Sequence, residues 1–297
     1  MQRVLAILAP ALLVGGVLVV LLATGAGPFG DEDDDQPPVR TRPPAVDRFD
    51  SAAAYLLLRE QVELGPRPAG SAASRRLAAR LRGMLPDGRF QAVPGGLRNV
   101  IGRVEGQGSG FVVLAAHYDT KDIPGFVGAN DGASGTAVVT QLARTIEPRT
   151  LRPSVVFALF DGEESPRDTP AQRFEQEGLR GSKVAARRFR DAEAMILLDF
   201  VGDADLSIPR EGYSNEELWG RLRTAAGQAG TTAAFPPEVS GSILDDHIPF
   251  VREGVPSIDL IDFEFSCFHR VCDDLTAVSE ESLDVTGETV LRLLASL

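Results

Sequence analysis

Three stretches of this chain are apolar on both alternating faces over the length of a strand: residues 111–116 (FVVLAA), 154–160 (SVVFALF) and 194–198 (AMILL). Such runs read as buried strands, more parallel than antiparallel. Each closes on polar residues: His117-Tyr118-Asp119, Asp161-Gly-Glu-Glu164 and Asp199. Residues 99–105 and 257–261 read as further strands, the first forming a hairpin with 111–116 across the intervening glycines. Helical spacing of apolar residues marks 47–63, with Asp50 or Ser51 as cap, then a helix from Ser71 to about residue 85, then 136–145 and 178–189. Ser214 caps a helix reaching 228 that carries Trp219 as a core residue, and Ser279 caps the last one. Strands alternating with helices predict an α/β domain.

The beginning of the chain departs from this pattern. Residues 4–23 hold no charged side chain and are rich in Leu, Val and Ala. About 20 helical residues span ~30 Å, the thickness of a bilayer core, and a cleavable signal usually has a shorter apolar region. Residues 1–25 are therefore expected to form an uncleaved signal anchor; removal at the small residues Ala23 and Gly25 would yield a secreted form. Arg3 lies before the apolar run and an acidic run, 31–35, after it, which places everything downstream outside the cytoplasm. Residues 26–46, with Pro37-Pro38 and Pro43-Pro44, read as an acidic, extended linker. One catalytic domain is expected over 47–297.

A formal net charge of -12 argues against nucleic acid or anionic head groups as partners, which leaves the N-terminal helix as the membrane contact. It also suits a cation site. With only 2 cysteines the chain is no disulfide scaffold, whereas each of the 3 histidines has an aspartate within a few residues. Two adjacent glutamates at the end of a buried strand are costly unless a cation lies between them, and Gly162 permits the turn that would bring both to one site. The Gly-rich loop 126–135 has no Lys or Arg to bind phosphate, and its Asp131, at a helix N-terminus, can bridge two cations with its two oxygens.

The strand-end residues His117, Asp131, Glu163, Glu164, Asp199 and His269 thus form a nitrogen and carboxylate donor set without thiolate, which suits catalytic zinc. One division satisfies every group. His117 and Asp199 hold one metal, Glu164 and His269 the other, and Asp131 bridges them. Glu163, left free, is placed to carry a proton as general acid and base. Asp119 shares a face with His117 two residues away and can orient its ring. His247 points away from the strand ends and orients neighbours.

The strings HYDT, GANDGASG, FDGEES, LLDFVGD and the late His269 resemble the zinc-dependent aminopeptidase and glutaminyl cyclase superfamily, over about residues 46–297. The resemblance implies a mixed, largely parallel sheet sandwiched by helices, with Glu163 as general acid/base. Within it, Asn130, Gly132, Ser134 and Gly135 are similar to aminopeptidases, which hydrolyse the N-terminal residue of peptides with two zincs. HYDTK, FVGA, GLRGS and DDHIPF resemble glutaminyl cyclases, which form N-terminal pyroglutamate with one. On that second reading Asp245 joins a proton relay with Glu163, and Asp131, Glu164 and His269 bind the single metal. Phe268 stands where cyclases usually have a tryptophan. Hydrolysis is the leading expectation and cyclisation the alternative. A non-catalytic surface binding module would have lost a ligand or the base, and none is lost. Cys267 and Cys272 share the His269 loop, and outside the cytoplasm a disulfide between them would stiffen it.

Overall fold

The computed structural model describes residues 47–297. The expected anchor over 1–25 and linker over 26–46 lie outside the described residues. Among the described residues, 47–297, no helix is long and apolar enough to cross a membrane.

A six-stranded sheet comprises β1 (Arg89–Val93), β2 (Leu97–Val104), β3 (Phe111–His117), β4 (Ser154–Phe160), β5 (Ala194–Asp199) and β6 (Ser257–Ile261) in the order β1-β2-β4-β3-β5-β6. Strands β4, β3, β5 and β6 run parallel, while β1 and β2 form an antiparallel edge. The expected hairpin between the second and third strands is not formed. β4, apolar on both faces, takes the central place between them and pairs with β2 on one side and β3 on the other. The hairpin partner of β2 is instead β1, a short and half-exposed edge strand whose RFQAV sequence carries little periodic signal.

Alternation along the central strands divides their side chains between two cores. Val112, Leu114, Val155, Phe157, Leu159, Ile196 and Leu198 face one side. Among the eight helices α1 (Ser51–Glu63), α2 (Ala72–Met84), α3 (Ala133–Thr145), α4 (Phe174–Glu177), α5 (Arg180–Arg188), α6 (Glu216–Ala229), α7 (His247–Arg252) and α8 (Glu280–Leu294) of the described residues, α1, α2, α3, α6 and α8 pack against that side. Val113, Ala115, Val156, Ala158 and Leu197 face the other core, beneath α5 and α7. Helices thus cover both faces, as a largely parallel sheet requires. Trp219 is buried in the first core.

Caps agree with local chemistry, with one exception. Asp50, Ser71 and Ser279 each accept an amide hydrogen at the start of α1, α2 and α8. α6 is capped by Asn215, whose Oδ1 accepts from the Leu218 amide at 2.9 Å, rather than by Ser214. The Ser214 hydroxyl is already engaged, donating to Glu211 and accepting the Asp259 amide. α3 starts at Ala133, earlier than its apolar pattern suggests, and passes so close to β5 that a Cβ on Gly135 would lie 2.0 Å from the Leu198 carbonyl oxygen. That contact sets Asp131, just before α3, beside the end of β5. Four parallel strands finish at one rim of the sheet, so the residues beyond them share a single edge, where α/β folds place ligands.

Candidate metal centre

At this rim two buried triads share one residue. His117, Asp131 and Asp199 form the first, Asp131, Glu164 and His269 the second, each with one donor atom per residue within 4.8 Å of the others. His117 Nε2 lies 3.3 Å from both Asp131 Oδ1 and Asp199 Oδ1. His269 Nε2 lies 3.4 Å from the other oxygen of Asp131 and 3.0 Å from Glu164 Oε1. Ligands about 2.0–2.1 Å from a tetrahedral zinc stand ~3.3 Å apart, so these separations fit that ion. Neither nitrogen of His117 has a hydrogen-bond partner, nor does Oδ2 of Asp131, although all three atoms are buried. Unpaired buried polar atoms are expensive, and a cation among them would satisfy them. Each of the five expected ligand residues is therefore found with the others, and the donor set supports zinc.

The electrostatics are those of carboxylates crowded out of water. Burial pushes Asp199 up to about 7, with Asp245 and Asp131 adding to the shift against the pull of His117. Burial likewise raises Glu163 well above the carboxylate range, and Glu164, Asp245 and Asp246 reinforce it. Glu164 goes the other way: His269 and Lys121 outweigh its burial and hold it ionised. Burial would lower both site histidines, yet His117 is raised by Asp199, Asp119 and Asp131, and His269 by Glu164 and Asp131. The two adjacent glutamates are thus driven in opposite directions, Glu163 toward the protonated form and Glu164 toward the ionised one.

Backbone geometry separates the two. Gly162 has φ +82, a conformation that favours glycine, and turns the chain straight after β4. Asp119 secures this turn by accepting the amide hydrogens of Gly162, Glu163 and Glu164 at 2.9, 3.2 and 3.3 Å. Its nearest approach to His117 Nδ1 is 3.7 Å, longer than a hydrogen bond. Asp119 therefore holds the glutamate turn more directly than it holds the histidine.

Several residues of the centre were not anticipated from sequence. Lys121 Nζ donates to Glu164 Oε2 at 2.7 Å and to Ser165 Oγ at 3.0 Å. Asp273 accepts the amides of Asn130 and Asp131 at 2.7 and 3.0 Å. Arg67 is fully buried; its guanidinium donates to backbone carbonyls, among them those of Tyr118, Val127 and Gly128, and presents its charge to Asp131, Asp273 and Asp119. Lys121 and Asp273 carry a faint signal, since each lies within four residues of a triad histidine; Arg67 carries none. His247 stands apart from both triads, its nitrogens 3.2 Å from Glu211 and 3.5 Å from Asp259, all three buried.

A cavity of about 510 Å³ opens onto the second triad, and both Glu163 and Asp245 line it. Its apolar wall includes Phe200, Phe263 and Phe268, in mutual contact with ring centroids 5.0–6.5 Å apart. Phe268 also stacks on the His269 ring at 4.0 Å. Cys267 and Cys272 are joined by a disulfide around this loop.

The sequence profile described as Peptidase family M28 matches residues 99–294, about two thirds of the chain. Over 235 residues the chain is 27% identical to the glutaminyl-peptide cyclotransferase of Drosophila melanogaster, covering 66% of this chain and 64% of that one. Over 195 residues it is 27% identical to aminopeptidase YwaD of Bacillus subtilis (strain 168), covering 60% and 39%. The chain thus spans less than two thirds of the length of these curated relatives. Among solved structures it is similar to Porphyromonas gingivalis glutaminyl cyclase, with a TM-score of 0.75 and 28% identity, covering 84% of this chain and 99% of that one.

Proposed function

We propose that this chain, which belongs to peptidase family M28, acts on the amino-terminal residue of peptides, and that its reaction is cyclisation of N-terminal glutamine to pyroglutamate. The observation that carries the choice is the set of buried acids beside Glu163. Asp245 and Asp246 are both buried and both raise Glu163, and Asp245 lines the same cavity. Cyclisation forms a bond from the α-amine to the γ-carbonyl carbon, breaks the γ-amide bond and releases ammonia. One proton must pass from attacking nitrogen to leaving nitrogen, and no water is consumed. Glu163 is positioned to accept that proton and return it, with Asp245 beside it to share the load. Asp131, Glu164 and His269 would hold zinc, which supplies Lewis-acid polarisation of the carbonyl under attack. The wall of Phe200, Phe263 and Phe268 limits water at the reacting atoms. Cyclases among both the curated relatives and the solved structures support the same reading.

Hydrolysis of the N-terminal residue is the second reading. Its support is the similarity to aminopeptidase YwaD, and the first triad of His117, Asp131 and Asp199 would hold the second metal it needs. Glu163 would then take its proton from water and give it to the leaving amine. Elemental analysis run beside assays on a glutaminyl amide and a leucyl amide separates the two. One zinc per chain with ammonia from the glutaminyl amide supports cyclisation; two zincs with release of free leucine overturns it.

We also place the catalytic domain outside the cytoplasm, on the strength of the uncharged run 4–23 and the disulfide. Resistance of that domain to protease added to intact spheroplasts would count against this placement.

A further inference from the structure

We propose that the loop closed by Cys267 and Cys272, together with Asp273 directly after it, is a positioning frame for the metal centre, and that opening the disulfide weakens metal binding. The inference rests on reading Asp131, Glu164 and His269 as ligands.

The bridge encloses His269, whose φ of +52 lies in the left-handed region that residues other than glycine seldom occupy. No helix or strand holds this residue, because the chain between β6 and α8 has no regular element. Its conformation is kept by short turn bonds, Arg270 N to Cys267 O at 2.9 Å and Asp273 N to Arg270 O at 3.0 Å, and by the covalent link. Arg270, Val271 and Cys272 are exposed, so little packing supports the outer side of the turn.

The far end of the same turn reaches the bridging ligand. Asp273 is wholly buried, and its two carboxylate oxygens accept the amides of Asn130 and Asp131, while its carbonyl accepts that of Ala129 at 3.3 Å. One cross-linked turn therefore sets the His269 ring from within and the Asp131 backbone from its edge. Two of the three ligands of the second triad depend on it. Residues that orient ligands govern metal retention, and removing such a residue typically costs about 10–100-fold in affinity.

Cys272 is exposed, which leaves the bridge open to a thiol or phosphine reductant. A dithiol would deliver two electrons and two protons, giving two cysteine thiols and an oxidised dithiol, with the turn freed at both ends.

The test uses the full chain and zinc alone, with affinity measured by competition against a chromogenic chelator. Cys267→Ser/Cys272→Ser and, separately, Asp273→Asn are compared with wild type, each also melted without zinc. The expected result is zinc affinity about 10–100-fold weaker in both variants, with a smaller change in the melting of the zinc-free proteins than a global packing defect would cause. Wild type reduced and desalted should weaken likewise and recover on reoxidation, a readout that holds even if a variant does not fold. Equal affinity in oxidised wild type, reduced wild type and the variants would overturn the frame while leaving the triad intact. Failure of oxidised wild type to bind zinc would overturn the triad and the frame with it.

Discussion

Lys121 and His269 hold opposite oxygens of Glu164: the ammonium lies 2.7 Å from Oε2 and the imidazole nitrogen 3.0 Å from Oε1. Glu164 can therefore turn only one oxygen to a metal, and its rotamer is set by a cation that is itself no ligand. Lys121→Met should retain zinc, because Asp131 and His269 remain, while kcat falls about 10-fold as Glu164 loosens. Zinc content and steady-state kinetics on one preparation would decide, and an unchanged kcat would show that Lys121 is only a surface ion pair.

Glu163 touches neither triad as a ligand, so its removal should spare the metal. Glu163→Gln is expected to bind zinc with wild-type affinity and to lose roughly 10²–10⁴ in kcat, the usual contribution of a positioned acid or base. Full turnover in that variant would remove the proposed proton carrier.

Asp131 contributes one oxygen to each triad, whereas Asp199 serves only the first. Asp131→Asn should therefore abolish zinc binding altogether. Asp199→Asn should leave the second triad loaded and, if the reaction is cyclisation, leave measurable turnover. Zinc stoichiometry of the two variants checks this; an Asp199→Asn protein with zinc but no activity would favour a two-metal hydrolase.

Stability without metal should fall as pH rises. Burial holds Asp199, Asp262 and Asp273 at about 7 in the folded protein, against an ordinary value of 3.8. Between these values the folded chain keeps protons that the unfolded chain has released, so this stabilisation is complete below about pH 4 and lost as pH climbs through about 7. The raised histidines His117 and His269 act in the same direction, and the depressed Glu164 opposes them. Urea midpoints of chelator-treated protein should decline from pH 5 to 8, and less steeply in Asp262→Asn. A midpoint that rises over this range would contradict the assignment.

Phe268 stacks on His269 and also lines the cavity. Phe268→Ala should raise KM for glutaminyl peptides more than it lowers kcat, since the ring lines the cavity while His269 keeps its bond to Glu164. Phe268→Trp should come closer to wild type than alanine does. A pure kcat loss would mean that the ring acts only through the histidine.

Much of the centre was legible because its residues sit where local pattern changes. His117, Glu163, Glu164 and Asp199 each follow the last apolar position of a strand, and Asp131 precedes a helix. That these donor types suit a cation followed from their chemistry, and the structure brings them together. The hairpin expectation failed because pairing two neighbouring strands is the default reading of a short glycine-rich link, while the twofold apolar face of β4 competes for the same edge of β2. Asp119 shows the same boundary: its spacing from His117 was readable, but its three amide contacts at residues 162–164 depend on how β3 and β4 lie side by side.

By itself the sequence determined the strand periods, the caps of α1, α2 and α8 and which polar side chains stand at strand ends, since these depend on residues a few positions apart. Tertiary structure alone decided the order of strands, the pairing of Lys121 with Glu164 and the reach of Asp273 to the Asp131 amide across 142 residues. Such contacts are selected by the collective packing of two cores and the path of a loop between β6 and α8. No local pattern records that choice.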